Sequence, residues 1–328
     1  MALGFNPSGT MLASGGIDGH LFVWSLALGT VARKFKSECG FCSLTWIDDS
    51  RILAGKIDGS VVLITLSHQL VVSCVVDEKH PVECLSSNQY ALIASGSGDN
   101  IRALSICNGE LQIERTYTLS GPREPDIIVT SLHWVDSFAP NALLSTYLDH
   151  GVVIWDTERA TVIYSMDLTT FVGATALSPS QRILLVSNLS YGFDAYDIPA
   201  KKKVKEFKRQ GNEINSKQVC LPVAFVQGGK LFAEGSATGQ MTISHLNKSE
   251  PIQTIKHTDD PIILSLAEHF NSSTSCSLIA CGTAGLKSAS YVQVWMAQAD
   301  LEPRSLRKRA TSLFAGLEDK LEITSSNS

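Results

Sequence analysis

The chain has 328 residues, 44% of them hydrophobic and 18% charged, with a formal net charge of −5. That balance describes a globular chain rich in buried surface and excludes a disordered one. The acidic sign argues against a general nucleic-acid binder, which needs a basic face.

The chain opens MALGFNPSGT, with no basic leader ahead of Asn6-Pro7, so no secretory signal is read there. No apolar run approaches the roughly 20 residues of a membrane helix. Eight cysteines spread thinly over the chain do not make a disulfide framework. The expected setting is intracellular, cytoplasmic or nuclear. The triplets at Asn188, Asn247 and Asn271 then read as chance matches to a glycosylation pattern.

Residues 13–24, ASGGIDGHLFVW, place Ser14, then Asp18-Gly19, then Trp24 between two apolar runs. Residues 144–155, LSTYLDHGVVIW, repeat the spacing: Ser145 is four before Asp149, and Asp149 is six before Trp155. Weaker copies lie between and after. Residues 56–64 keep Asp58-Gly59 and end on Ile64, and residues 94–104 keep Ser95 and Asp99 and end on Leu104. Three more end on Tyr196, Ser244 and Trp295. The seven end positions are 24, 64, 104, 155, 196, 244 and 295, at intervals of 40 to 51 residues. That is the period of a four-stranded propeller blade. Upstream segments match too: CSLTWIDDS (42–50) resembles TSLHWVDSF (130–138), and GFNPSG (4–9) resembles ALSPSQ (176–181). TVARKFK (30–36) alternates apolar and charged residues as an exposed outer strand does.

On these residues the chain resembles the WD-repeat β-propeller family over residues 1 to about 297, with Trp155-Asp156 a literal copy of the signature dipeptide. The resemblance implies an all-β fold: a seven-bladed propeller of four-stranded antiparallel blades. The blades are placed at about 1–37, 38–77, 78–119, 120–168, 169–208, 209–257 and 258–300, and residues 301–328 form a helical or disordered tail. It also implies a structural hydrogen-bond network in each blade, linking a His, a Ser or Thr, the turn Asp and the Trp. The matching residues are Ser14, Asp18 and Trp24; Asp58; His80, Ser95 and Asp99; Ser145, Asp149 and Trp155; and His257 with Trp295. No unit carries a complete set. Unit seven lacks the Ser and the Asp.

After Trp295 the chain runs into Pro303 and a dense set of charges, which argues against a strand there. Leu306, Leu313, Phe314, Leu317 and Leu321 share one helical face. The expectation is therefore a helix over about 304–322 and a last blade without its outer strand. Such an open edge invites pairing with another chain. Nothing else points to a homo-oligomer.

No motif supports catalysis, a metal or a cofactor. Cys39-Gly-Phe-Cys42 leads into a strand, whereas a redox pair sits at a helix start. Eight histidines are scattered without ligand spacing, and no phosphate loop or nucleophile elbow occurs. Pro199 to Lys205 resemble a nuclear-import signal but fall on a turn and outer strand of blade five, where a solvated charged surface is ordinary. Arg307 to Ser312 resemble a basophilic kinase site in an ordinary charged tail.

The resemblance implies binding on the face that carries the links between blades. Two long links there supply candidate contacts: Arg123, Glu124 and Asp126, and Lys208, Arg209 and Lys217. The tail adds Leu313, Phe314 and Leu317. The expected function is a noncatalytic protein-interaction scaffold inside a multiprotein complex. Its partners are other proteins, with neither direct nucleic-acid binding nor membrane insertion. Two alternatives stand beside it. One is a recognition or adaptor subunit of a ubiquitin-ligase, chromatin or trafficking assembly; the other is a propeller enzyme with a site at the channel mouth.

Overall fold

Short apolar runs separated by Gly- and Asp-bearing turns give strands joined by tight hairpins. In a computed structural model the described residues are 1–67, 70–77, 79–88, 92–119, 127–208, 220–248, 250–256, 262–284, 292–298 and 321–323. They contain 28 strands and no helix.

The strands form seven four-stranded antiparallel sheets. Blade 1 holds β1 (Ala2–Phe5), β2 (Met11–Gly15), β3 (His20–Ser25) and β4 (Thr30–Lys36). Blade 2 holds β5 (Phe41–Trp46), β6 (Arg51–Lys56), β7 (Ser60–Thr65) and β8 (Leu70–Val75). Blade 3 holds β9 (Val82–Ser87), β10 (Ile93–Ser97), β11 (Asn100–Cys107) and β12 (Glu110–Thr118). Blade 4 holds β13 (Val129–Trp134), β14 (Leu143–Tyr147), β15 (Gly151–Asp156) and β16 (Thr161–Met166). Blade 5 holds β17 (Val172–Leu177), β18 (Ile183–Asn188), β19 (Gly192–Asp197) and β20 (Lys202–Lys208). Blade 6 holds β21 (Val223–Val226), β22 (Leu231–Gly235), β23 (Gln240–His245) and β24 (Gln253–Lys256). Blade 7 holds β25 (Ile262–Asn271), β26 (Cys276–Ala284), β27 (Val292–Gln298) and β28 (Leu321–Ile323). The fold is a seven-bladed β-propeller.

Two compact units divide the chain. The first comprises residues 1–24 and 31–173, and the second residues 25–30 and 174–328. Within each, the apolar core lies between consecutive blades. In the first unit one cluster joins Leu21 and Val23 to Phe41 and Ile64, a second joins Leu53 and Val61 to Ile93 and Leu104, and a third joins Ile101 and Tyr117 to Leu143 and Trp155. In the second unit Phe193 packs with Phe225 and Phe232, and Met241 with Ile263 and Ile279. Middle strands are therefore buried on both faces, as in β14 and β15. Outer strands alternate or face water, as in β4 and β16. Polar ties add to the packing: Asn6 Nδ2 donates to Asp49 Oδ1 at 2.7 Å, and the Trp46 indole donates to the Gly4 carbonyl at 2.8 Å.

The expectation for blade 7 is corrected. Its outer position is filled: β28 pairs antiparallel with β27, placing Val292 opposite Ile323 and Val294 opposite Leu321. The free N–H and C=O groups of a sheet edge take whatever extended segment reaches them, near or distant in sequence. The helix expected over 304–322 lies outside the described residues except at 321 and 322, which are strand.

Candidate functional site

Asp-bearing turns join the second and third strands of blades 1 to 4, and the links between blades run beside them. In the first unit each link is tied to those turns through the main chain. Ser37 N–H donates to Gly19 O (2.8 Å), Phe41 N–H to Gly16 O (2.9 Å) and Ile57 N–H to Gly40 O (3.0 Å). Val76 N–H donates to Gly59 O (3.0 Å), Val129 N–H to Gly98 O (2.8 Å) and Leu148 N–H to Ile128 O (2.9 Å). Gly19 and Gly59 have φ of +79° and +78°, and a Cβ on either would strike the carbonyl of the adjoining link. Glycine is required there for both conformation and space.

The structural network is present in part. In blade 1 the Trp24 indole N–H donates to Ser14 Oγ at 2.9 Å. In blade 4 the Trp155 indole donates to Ser145 Oγ at 2.9 Å, and that hydroxyl donates to Val153 O at 3.2 Å. The turn aspartates act locally. Asp18 accepts from the His20 amide at 3.1 Å and lies 3.1 Å from the His20 ring. Asp58 accepts from the Ser60 amide (3.0 Å) and hydroxyl (2.6 Å) and pairs with Lys56 at 2.7 Å. Burial works to raise both carboxyls, but these bonds outweigh it and hold them below the usual carboxylate range. Asp149 lies 3.7 Å from His150 Nδ1.

Blade 3 does not assemble its set. Leu104 stands opposite Ile93, as Trp155 stands opposite Leu143 in blade 4. Without an indole, buried Ser95 Oγ has no hydrogen-bond partner. His80 lies 3.4 Å from Asp77 rather than on Ser95, and Asp99 accepts from the Asn100 side chain. In blade 2, Ile64 faces Ile52 and buried Ala54 fills the serine slot. In blade 7, Trp295 faces Ile279, and buried Cys281 fills that slot.

A polar cluster in blade 5 escapes the sequence reading. Fully buried Asp194 accepts from the Tyr191 hydroxyl (3.0 Å) and Asn188 Nδ2 (3.1 Å), with Lys203 Nζ at 3.4 Å. The Tyr191 hydroxyl bond, then Glu206 and the Asp194 charge, raise Lys203 above its ordinary range despite desolvation. The signal was a charged residue at an inward slot of GFDAYD with a lysine on the next strand. Lys203, read as part of a solvated basic run, is therefore tied inward.

Cys42 lies in β5, where its thiol donates to Val82 O at 3.2 Å. Burial, helped by the Glu83 charge, pushes it up to about 12, so it stays a thiol near neutral pH. Among the described residues no three His, Cys, Asp or Glu side chains gather to hold a metal ion. Among them no helix is long and apolar enough to cross a membrane. Of the candidate contacts, Lys208 ends β20 and lies 3.5 Å from Glu206. Arg123, Glu124, Asp126, Arg209, Lys217, His257, Leu313, Phe314 and Leu317 lie outside the described residues.

Seven four-stranded antiparallel blades define a β-propeller, and the Ser–Trp bonds of blades 1 and 4 make it similar to the WD-repeat family. The family described as "WD domain, G-beta repeat" matches residues 1–25. The Schizosaccharomyces pombe "Pre-rRNA-processing protein crb3/ipi3" is 25% identical over 189 residues, which span 56% of this chain and 34% of that protein. The crystal structure of the Myceliophteria thermophila Cps50 (Swd1) β-propeller domain is similar at a TM-score of 0.69. Its identity is 18%, and the likeness covers 90% of this chain and 95% of that one.

Proposed function

We propose that the chain is a noncatalytic interaction scaffold that holds partner proteins inside a larger assembly. The observation that carries this reading is the stapled face of the first unit, where turns and links are locked together by main-chain bonds. Fixed loops on a rigid frame present side chains without an ordering cost on binding, which is what recognition needs. The likeness to a protein named for pre-rRNA processing favours an assembly of that kind, and with it a nuclear setting. That match supports membership of a complex rather than a particular contact. Purification of the chain from its native cells with quantitative mass spectrometry tests the proposal. A stoichiometric set of partner proteins is the expected result. A folded chain that brings down no partner overturns it.

A further inference from the structure

Resting on the scaffold reading, we propose that the adjoining turns of blades 1 and 2 form a docking surface. Its ligand is a peptide segment with paired aliphatic side chains flanked by Lys or Arg. Ile17 precedes Asp18-Gly19 and Ile57 precedes Asp58-Gly59, so the two isoleucines hold the same slot in consecutive blades. Turn tips ordinarily take Gly, Asn, Asp, Ser or Pro, whose backbone habits suit them. Here a β-branched aliphatic stands at the tip and faces water, with Ile17 75% and Ile57 45% exposed. Core packing does not account for either side chain. In blade 4 the same slot holds Leu148, which is half-buried.

The pair is not scattered. Ile57 N–H donates to the Gly40 carbonyl, and a Cβ on Gly40 would strike the main chain of Ile17. The two turns therefore meet at one residue of the link. Bonds from Ser37 to Gly19 and from Val76 to Gly59 fix both turns. Charge selects the partner. Segments 16–20, 36–41, 56–60 and 76–80 carry Asp18, Glu38, Asp58, Asp77 and Glu78 against Lys36, Lys56 and Lys79, with the histidines His20 and His80. Lys56 is largely covered and engaged by Asp58, while Glu38 is exposed. An acidic ligand, nucleic acid included, would meet like charge within a Debye length; a basic–aliphatic segment satisfies both the charge and the apolar area.

The test selects phage-displayed random dodecapeptides on the full chain and measures enriched peptides by fluorescence anisotropy. Enrichment of Leu, Ile or Val pairs beside Lys or Arg is expected. The Ile17→Asn/Ile57→Asn variant should bind them about tenfold more weakly or worse, and Glu38→Gln about twofold to fivefold more weakly. Both isoleucines are exposed, so an unchanged thermal melt verifies the fold of the variant. Enriched peptides that are acidic, or that bind the variant as well as the native chain, overturn the proposal, as does a lack of enrichment. Purification of both chains from cells separates the two readings. Partners kept equally by both leave the scaffold standing and remove this surface. Partners captured by neither remove the scaffold reading itself.

Discussion

Ser145 and Ser95 occupy the same slot in neighbouring blades and face opposite consequences. Ser145→Ala leaves the Trp155 indole buried without an acceptor, an expected loss of about 1–3 kcal/mol in urea unfolding. Ser95→Ala removes a hydroxyl that already lacks a partner, so its unfolding midpoint should stay level or rise. Gly59 and Gly109 make a second contrast. Both have positive φ, yet a Cβ meets the Asp77 carbonyl at Gly59 and nothing within 4 Å at Gly109. Gly109→Ala should cost about 1–2 kcal/mol from the backbone alone, and Gly59→Ala clearly more in the same assay. Glu268 gives a pH dependence. Desolvation pushes its carboxyl up to about 7 from 4.5, against a Ser277 hydroxyl at 3.5 Å. Between those values the unfolded chain has released a proton that the folded chain keeps. Stability therefore falls as pH rises through that window and levels off above it. Glu268→Gln should melt above the native protein at pH 8 and match it at pH 4.

At the scale of elements, blades 1 and 4 were legible because strand, Asp-bearing turn and tryptophan stop recur in phase, and the others through part of that pattern at the same period. Leu104 follows Asp99 by five residues, where Trp155 follows Asp149 by six, and the difference has a simple cause. The turn of blade 3 spans 98–99, whereas that of blade 4 spans 148–150, and the register then places Leu104 in the tryptophan slot. The fourth strand of blade 7 was not legible. Pairing with β27 depends on a segment beginning at Leu321, and no local pattern near Trp295 announces a distant partner. The blade 5 cluster was hidden for a related reason: Asp194 and Lys203 belong together only once β19 lies against β20. Removing residues 319–328 should accelerate hydrogen exchange at Val292–Val294, read by mass spectrometry, and leave the amides of β14 unchanged.

At the scale of the whole molecule, strands pair with their neighbours in sequence and cores form between blades that follow one another. Such a chain is quasi-one-dimensional, and local contacts favour rapid folding. Blade 7 keeps that order across a longer stretch of chain. Its third strand ends at Gln298, and its fourth begins at Leu321. On the ribosome, the other six sheets have all their strands as soon as their own stretch of chain has emerged. The seventh must wait until residue 323 is free. Until then the outer edge of β27 is unpaired, and an edge in that state can take up an extended segment of another chain.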